Sequence, residues 1–339
     1  MTPDAVAPQA PTFPADWPAF GQGCSPLGDI FQEMGEPAAR DLLETAWTGG
    51  IRYFDTAPWY GHGLSEHRLG GFLRQFDRRD FVLSTKVGRV YDPAPRGKDA
   101  RINWAGGLNF AVRYDYSAAG FEAALTQSRL RLGLPVVDAL VIHDLDRGYH
   151  GAAYDGHLRD LTDSGLAYLQ DLRARGEIGA IGMGMNSTAE FAALAGEIDV
   201  DFFLVAIPYT LLDQDALDGP MATCLQRGIA IVIGAPFASG VLAAPRAPGI
   251  RYQYRPVTEE IRGKALAIEA VCARHGISLP GAALRFPLLH PAVVSVVPGV
   301  DGAAQLRANL DAMRPEPPHA MWAELKAAGL LRADAPTGG

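Results

Sequence analysis

Short apolar runs recur along the chain, and nearly every one is followed by a longer stretch with apolar residues at helical spacing. Runs rich in Val, Ile and Phe and bounded by Gly, Pro, Asp or Asn read as buried strands. One lies near Phe20 to Leu27, and the others end near Asp55, Lys86, His143, Met185, Ile207, Ile233 and Val297. Helices are predicted over 37–49, opened by Pro37 and closed by Gly49-Gly50, and from a Ser65 cap to about Phe76. Others are predicted behind Ser117 to about Leu132, over GLAYLQDLRARG to Gly176, and over 187–195, 214–227, 258–275 and 278–289. The segment GAAQLRANLDAM and a short stretch around Trp322 close the pattern. This is an α/β alternation. Eight strand–helix pairs predict a parallel sheet, and eight is the number that closes a (β/α)8 TIM barrel. A doubly wound open sheet is the alternative, but it wants a G-x-G-x-x-G turn after its first strand, and GQGCSPLG lacks that spacing.

Three stretches break the period. Residues 1–18 hold five prolines and read as an extended arm, leaving 19–339 as a single barrel domain. Residues 88–116 mix Pro, Gly, charge and aromatics without a clean period. Long irregular segments inside a compact domain are uncommon and are usually lids or binding loops, so this one is expected to cover the C-terminal mouth of the barrel. Residues 145–160 read as another polar loop, and ASGVLAAPRAPGIRYQYRPV as a further irregular stretch.

Composition narrows the partners. Of 339 residues 48% are hydrophobic, ordinary for a soluble globular protein, and the net charge of −8 with no basic block argues against nucleic acid or an anionic membrane. No apolar run approaches the roughly 20 residues of a membrane span, and no basic segment precedes an apolar core at the N-terminus, so no secretion signal is expected. Three widely spaced cysteines, Cys24, Cys224 and Cys272, fit buried thiols in a reducing compartment, by default the cytoplasm.

The candidate chemistry sits at predicted strand ends, where α/β folds place their active sites. Asp55 and Tyr60 follow one strand, Lys86 a second and His143 a third. A phenol alone is a poor acid–base group at neutral pH, but a nearby ammonium favours its phenolate form. A carboxylate beside that lysine holds it charged and oriented, and an imidazole can hydrogen-bond a substrate oxygen. The set suits proton transfer at an alcohol or carbonyl oxygen, the acid–base half of a hydride transfer.

Seven motifs in order carry a resemblance: FDTAPWYG, STKVGR, RLGLPVVDALVIHDLD, AIGMGMN, PYTLLDQDALD, GAPFASGVL and VPGVDGAAQLRANL. Over residues 20–313 the chain resembles the aldo-keto reductases, NAD(P)-dependent (β/α)8 barrels. The resemblance implies Tyr60 as general acid–base, tuned by Lys86 and Asp55, with His143 orienting the substrate oxygen. It implies Asn186 at the nicotinamide carboxamide, Tyr209 stacked on the nicotinamide ring, and Ala235, Phe237, Ser239, Gly240 and Leu242 over the pyrophosphate. It further implies that the segment from Pro298 to Asn309, with Gly299 and Gln305, binds the adenosine end. DTAPWYGHGLSE, IHDLD, YTLLDQ and EAVCARHGISLPGAALRFPLLHPAV are similar to the bacterial aldose dehydrogenases, which oxidise C1 of L-fucose and D-threo-aldoses to the lactone. Trp59, His62, Trp104 and Asp144 would then read the sugar. The positions where NADP-preferring members carry a Lys-Ser pair and an Arg read Gly299, Val300 and Gln305, which favours NAD over NADP.

Other readings of the same residues stand beside these. Lys86 alone fits a Schiff-base lysine, Asp55 a simple turn former, Tyr209 core packing, and His143 with Asp144 and Asp146 a metal-ligand set. His62 and His67 read as surface or rim residues unless His62 touches substrate; Arg52, Arg78 and Arg79 read as solvated charges. Among functions, a dehydrogenase of pyridoxal, L-galactose or another hemiacetal and a non-catalytic nicotinamide-binding regulatory subunit are the alternatives.

Overall fold

The computed structural model describes residues 16–30, 32–101, 104–206, 209–252 and 255–338. Most of the expected N-terminal arm therefore lies outside the described residues. Its last part does not stand free: Trp17 is buried and meets Tyr53 edge-on, with ring centroids 4.9 Å apart. The chain forms two compact units, residues 16–185 with 299–306, and residues 186–298 with 307–339.

The first unit carries strands β1 (Gln22–Gly23), β2 (Tyr53–Asp55), β3 (Val82–Val87), β4 (Arg89–Pro93), β5 (Phe110–Tyr114), β6 (Ala139–Ile142) and β7 (Ala180–Met185). Strands β1, β2, β3, β6 and β7 pair in that order, all parallel. Strands β2, β6 and β7 are buried at every position, as expected of strands covered on both faces. A bridge from Gly23 to Gly299 ties the segment 299–306 to β1. The second unit carries β8 (Phe202–Val205), β9 (Ala230–Ile233), the short hairpin β10 (Arg251–Tyr252) and β11 (Arg255–Pro256), and β12 (Val293–Val296). Strands β8, β9 and β12 are parallel neighbours in that order. The expected strand end near Ile207 falls on a residue outside the described set.

The predicted cap at Ser117 holds, its hydroxyl accepting from Gly120, and two further hydroxyls cap helices near their expected starts: Thr258 accepts from Ile261 and Ser278 from Gly281. Four expectations need correction. The first strand is only Gln22–Gly23, because Pro26 turns the chain into a 3-10 helix at Ser25–Gly28. The helix Leu64–Leu73 starts behind Gly63, not Ser65; the buried Ser65 hydroxyl instead donates to the Cys24 carbonyl and meets Thr56 Oγ1 at 2.9 Å. Residues 88–116 are not irregular throughout: β4 and β5 pair antiparallel from Arg89–Tyr114 at the base to Pro93–Phe110. Residues 147–174 are helical almost without interruption, including a π-turn at Leu161–Gly165, because Asp146 caps the first turn by accepting from Tyr149.

Two arginines expected as solvated are used. Arg52 lies 3.9 Å from the Trp47 ring centroid, and Arg78 donates to Asp138 at 2.5 Å. Arg79 is solvated, with its side chain 89% exposed.

Candidate active site

Strand β2 delivers Asp55, and the turn that follows delivers Tyr60. A close contact between two glycines fixes that turn. A Cβ on Gly28 would stand 2.3 Å from the Tyr60 carbonyl carbon, and one on Gly61, where φ is +65°, would stand 2.5 Å from the Gly28 oxygen. Only glycines allow this approach, which sets the Tyr60 backbone against the segment after β1.

Lys86 and Asp55 form a buried pair. Lys86 Nζ donates to Asp55 Oδ2 at 2.6 Å and to the Thr56 carbonyl at 2.8 Å, and Asp55 Oδ1 accepts from Ser84 at 2.7 Å. Both residues are at most 3% exposed, so neither charge has water to replace its partner. The same ammonium lies 4.9 Å from the Tyr60 ring centroid. Tyr60 is half-buried.

His143 follows β6. Its ring meets Tyr60 edge-on, with centroids 6.0 Å apart. Its backbone is held on both sides: its N–H donates to Val87 O at 3.0 Å and its carbonyl accepts from Tyr116 OH at 2.7 Å. Burial holds the imidazole well below its usual pKa. The neighbouring Asp144 opposes that shift, and Arg89 and Lys86 add to it. His143 is therefore neutral near pH 7. The four catalytic residues expected from the sequence are thus brought together within one unit, Tyr60 lying between the Lys86 ammonium and the His143 ring.

The expected substrate readers converge on the same place. Trp59 stacks on His62, with centroids 5.4 Å apart, and meets Trp104 edge-on at 5.9 Å; Trp104 also lies 5.9 Å from the Tyr60 ring. Two backbone bonds dock the Trp104 segment, Ala105 N–H to Asp29 O and Leu108 N–H to Gly61 O, each 2.9 Å. His62 is not a surface or rim residue. It is 1% exposed, with φ of +53° and Nδ1 2.8 Å from Phe110 O. His67 is exposed as expected. Asp144 is committed to a salt bridge at 2.8 Å with Arg89. The sequence reading passed over Arg89, although it ends the motif STKVGR; its partner lies 55 positions along the chain.

The residues expected at the cofactor are distributed as follows. Asn186 directly follows β7. Tyr209 is 1% exposed and packs on Phe286 and His290, at 5.0 and 5.7 Å, so its ring belongs to the core of its unit. Ala235, Phe237, Ser239, Gly240 and Leu242 follow β9 in a turn where φ is positive at Ala238, Ser239 and Gly240. Phe237 and Leu242 are buried within it. Pro298 follows β12, Gly299 bridges β1, and the Gln305 side chain accepts from Asp301 N–H at 2.8 Å at the start of the helix Ala303–Ala312. Asn309 on that helix is buried, and its Nδ2 has no acceptor among the described residues. A buried donor without an acceptor and a run of left-handed backbone fit a polyanionic nucleotide, since such turns present N–H groups together. No group of three metal-type side chains stands together among the described residues. Cys24, Cys224 and Cys272 are buried free thiols, and burial raises the pKa of each.

A parallel α/β unit with an ammonium–carboxylate pair under a tyrosine and a neutral histidine beside it defines an oxidoreductase-type acid–base site. The chain belongs to the aldo/keto reductase family, whose model matches residues 20–329. It is 37% identical to pyridoxal 4-dehydrogenase of Microbacterium luteolum over 92% of this chain and 94% of that protein. It is also 37% identical to D-threo-aldose 1-dehydrogenase of a Pseudomonas species, over 93% and 94%. The holo form of an aldo-keto reductase from Bacillus halodurans superposes with a TM-score of 0.72 at 22% identity, covering 98% of both chains. That likeness shows the fold, the (β/α)8 barrel of these enzymes. Members of the family use nicotinamide nucleotides.

Proposed function

We propose that this protein oxidises C1 of a cyclic aldose of the L-fucose or D-threo-aldose type to its lactone. The nicotinamide, when bound, accepts the hydride. The protein's own groups handle the proton: Tyr60, as phenolate, takes it from the anomeric hydroxyl, Lys86 and Asp55 supply the charge that favours phenolate, and neutral His143 orients the substrate oxygen. The observation that carries this reading is the Lys86 ammonium, held by Asp55 at 2.6 Å and lying 4.9 Å from the Tyr60 ring. Trp59 and Trp104 supply aromatic surface for the sugar's C–H face, and the 37% likeness to D-threo-aldose 1-dehydrogenase supports the class.

Asn186, the turn from Ala235 to Leu242 and the segment from Pro298 to Asn309 would hold the nucleotide. NAD is favoured over NADP. Gly299 and Val300 carry no charge for a 2'-phosphate, and the Gln305 amide is engaged with Asp301. The reading places the enzyme in the cytoplasm with a small-molecule sugar as its partner.

Pyridoxal is the second substrate reading, favoured by the equal 37% identity to pyridoxal 4-dehydrogenase. Its cyclic form is also a hemiacetal, so fold and proton chemistry carry over. The test follows reduced-nicotinamide absorbance with NAD or NADP against L-fucose, D-arabinose, L-galactose, D-glucose and pyridoxal. Turnover of L-fucose or D-arabinose with NAD is the expected result. Turnover of pyridoxal alone moves the substrate, and tight nucleotide binding with no turnover on any member replaces the enzyme reading by a regulatory subunit.

A further inference from the structure

Asp29 ends the 3-10 helix Ser25–Gly28 in left-handed backbone, with φ of +63°, and is 5% exposed. Burying a carboxylate in that conformation costs free energy unless partners fix it. Arg68, on the helix Leu64–Leu73, is such a partner. Its Nη1 donates to Asp29 Oδ1 at 2.7 Å and to Leu27 O at 2.8 Å, its Nη2 to Met34 O and its Nε to Glu36. Met34 N–H donates to the same Asp29 oxygen at 2.9 Å. One planar fork thus holds Leu27, Asp29 and Met34 together.

Asp29 in turn meets the segment that carries Trp104 at two points. Its carbonyl accepts from Ala105 N–H at 2.9 Å, and a Cβ on Gly106 would stand 2.4 Å from its Oδ2. The next residues rest on the catalytic turn. Leu108 N–H donates to Gly61 O at 2.9 Å, and a Cβ on Gly107, where φ is +96°, would stand 2.8 Å from that oxygen. Residues 105–108 are therefore set against Asp29 and against the residue after Tyr60. Trp104 heads this segment, its ring 5.9 Å from those of both Tyr60 and Trp59.

We propose that Arg68 and Asp29 are positioning residues for the substrate: they hold residues 104–108 as a standing wall of the site and so set the spacing between the Trp104 ring and the Tyr60 phenol. The inference rests on the proposed roles of Tyr60 and Trp104. Arg68 acts through the Asp29 carboxylate, and Asp29 through the backbone of Ala105 and Gly106. A wall already in place needs no ordering when the substrate arrives, so its contribution appears in substrate affinity. Ground state and transition state use such a wall alike. Loosening it raises KM and leaves kcat where it was.

The test pairs Arg68→Met, which removes the fork, with Gly106→Ala, which sets a methyl group against a carboxylate that Arg68 and Met34 keep from swinging away. In both, KM for the sugar is expected to rise about tenfold, with kcat within about twofold of wild type and nicotinamide affinity unchanged. Arg68→Lys keeps the charge without the fork and should fall between Arg68→Met and wild type. Amide hydrogen exchange of the free, full-length protein is the second readout. Ala105 and Leu108 are expected to be protected in the wild type and to lose protection in both variants by a larger factor than the β6 amides. An Arg68 that only supports folding would speed exchange at Ala105 and at β6 alike and leave KM unmoved. That result, or an Ala105 that exchanges like an unbonded amide in the wild type, overturns the inference. Should Arg68→Met fail to fold, Gly106→Ala decides alone. Exchange needs no substrate: if no sugar is turned over, selective opening of Ala105 and Leu108 in the variants keeps the wall, and the proposed function alone falls. An active aldose dehydrogenase with unmoved KM in both variants overturns this inference and spares the proposed function.

Discussion

Two buried ion pairs flank Tyr60 and His143, and they are built differently. Lys86 and Asp55 lie on β3 and at the end of β2, on adjacent parallel strands. Arg89 and Asp144 join the foot of a hairpin to the residue after His143. The first cation is a compact ammonium held by a carboxylate and a backbone carbonyl, facing a phenol ring. The second is a guanidinium, charged at every accessible pH, with one carboxylate and a cage of rings. An ammonium can share in the titration of the group beside it, whereas a guanidinium supplies only a fixed field. The difference teaches that buried charge is held in two ways beside one site: the lysine pair puts a charge that could titrate against the Tyr60 ring, and the arginine pair puts a fixed one beside His143.

The widest separation between the pairs is expected in activity. Tyr60→Phe should lower turnover by about 10²–10⁴-fold, the range for a lost acid–base group, with nicotinamide binding retained in a fluorescence titration. Near-normal turnover would remove Tyr60 from the chemistry. Breaking either buried pair strands a carboxylate, so Lys86→Met and Arg89→Met should each cost about 3–5 kcal/mol in denaturant unfolding. Their rescues should then part. Lys86→Met/Asp55→Leu should regain stability without activity, and Arg89→Met/Asp144→Asn should regain both in large part. If both double variants recover activity alike, the distinction between the pairs fails.

The lysine pair works only if Tyr60 is held over it. Gly28→Ala forces a methyl group against the Tyr60 backbone and should cost about 1–3 kcal/mol while lowering kcat. A variant with unchanged Tm and kcat would show that the glycine contact is not what fixes the turn. A pH effect away from both pairs comes from a buried group with no ionic partner among the described residues. His290 is pushed down to about 4 by burial, and its Nδ1 accepts from Ala292 N–H at 3.1 Å. The unfolded chain therefore binds a proton that the folded chain refuses between pH 4 and 6.5. Stability should rise with pH across that window, by about 1.4 kcal/mol per unit from this residue, and level off above it. His290→Gln should flatten the slope of unfolding free energy against pH.

Much of this was legible in the sequence, for local reasons. Strands such as ALVI and AIVI announce themselves by composition, and Ser117 caps where a hydroxyl before a helical run should. Asp55, Tyr60, Lys86 and His143 are legible because each stands at or just past a strand end. What escaped depends on partners distant in sequence. The hairpin at 89–114 has half-exposed strands and a polar tip, so only its pairing reveals it. The helices after Asp146 were hidden by Gly148, Gly151 and Gly156. Arg89 escaped because its carboxylate and its rings arrive from elsewhere in the chain.

The central claim is that the buried Lys86 ammonium, fixed by Asp55, sets the proton chemistry at Tyr60. The most direct test is kcat/KM for aldose oxidation against pH, from neutral to strongly alkaline. The expected profile rises with pH and then levels once Tyr60 is phenolate throughout. A profile flat across the whole range would contradict the claim.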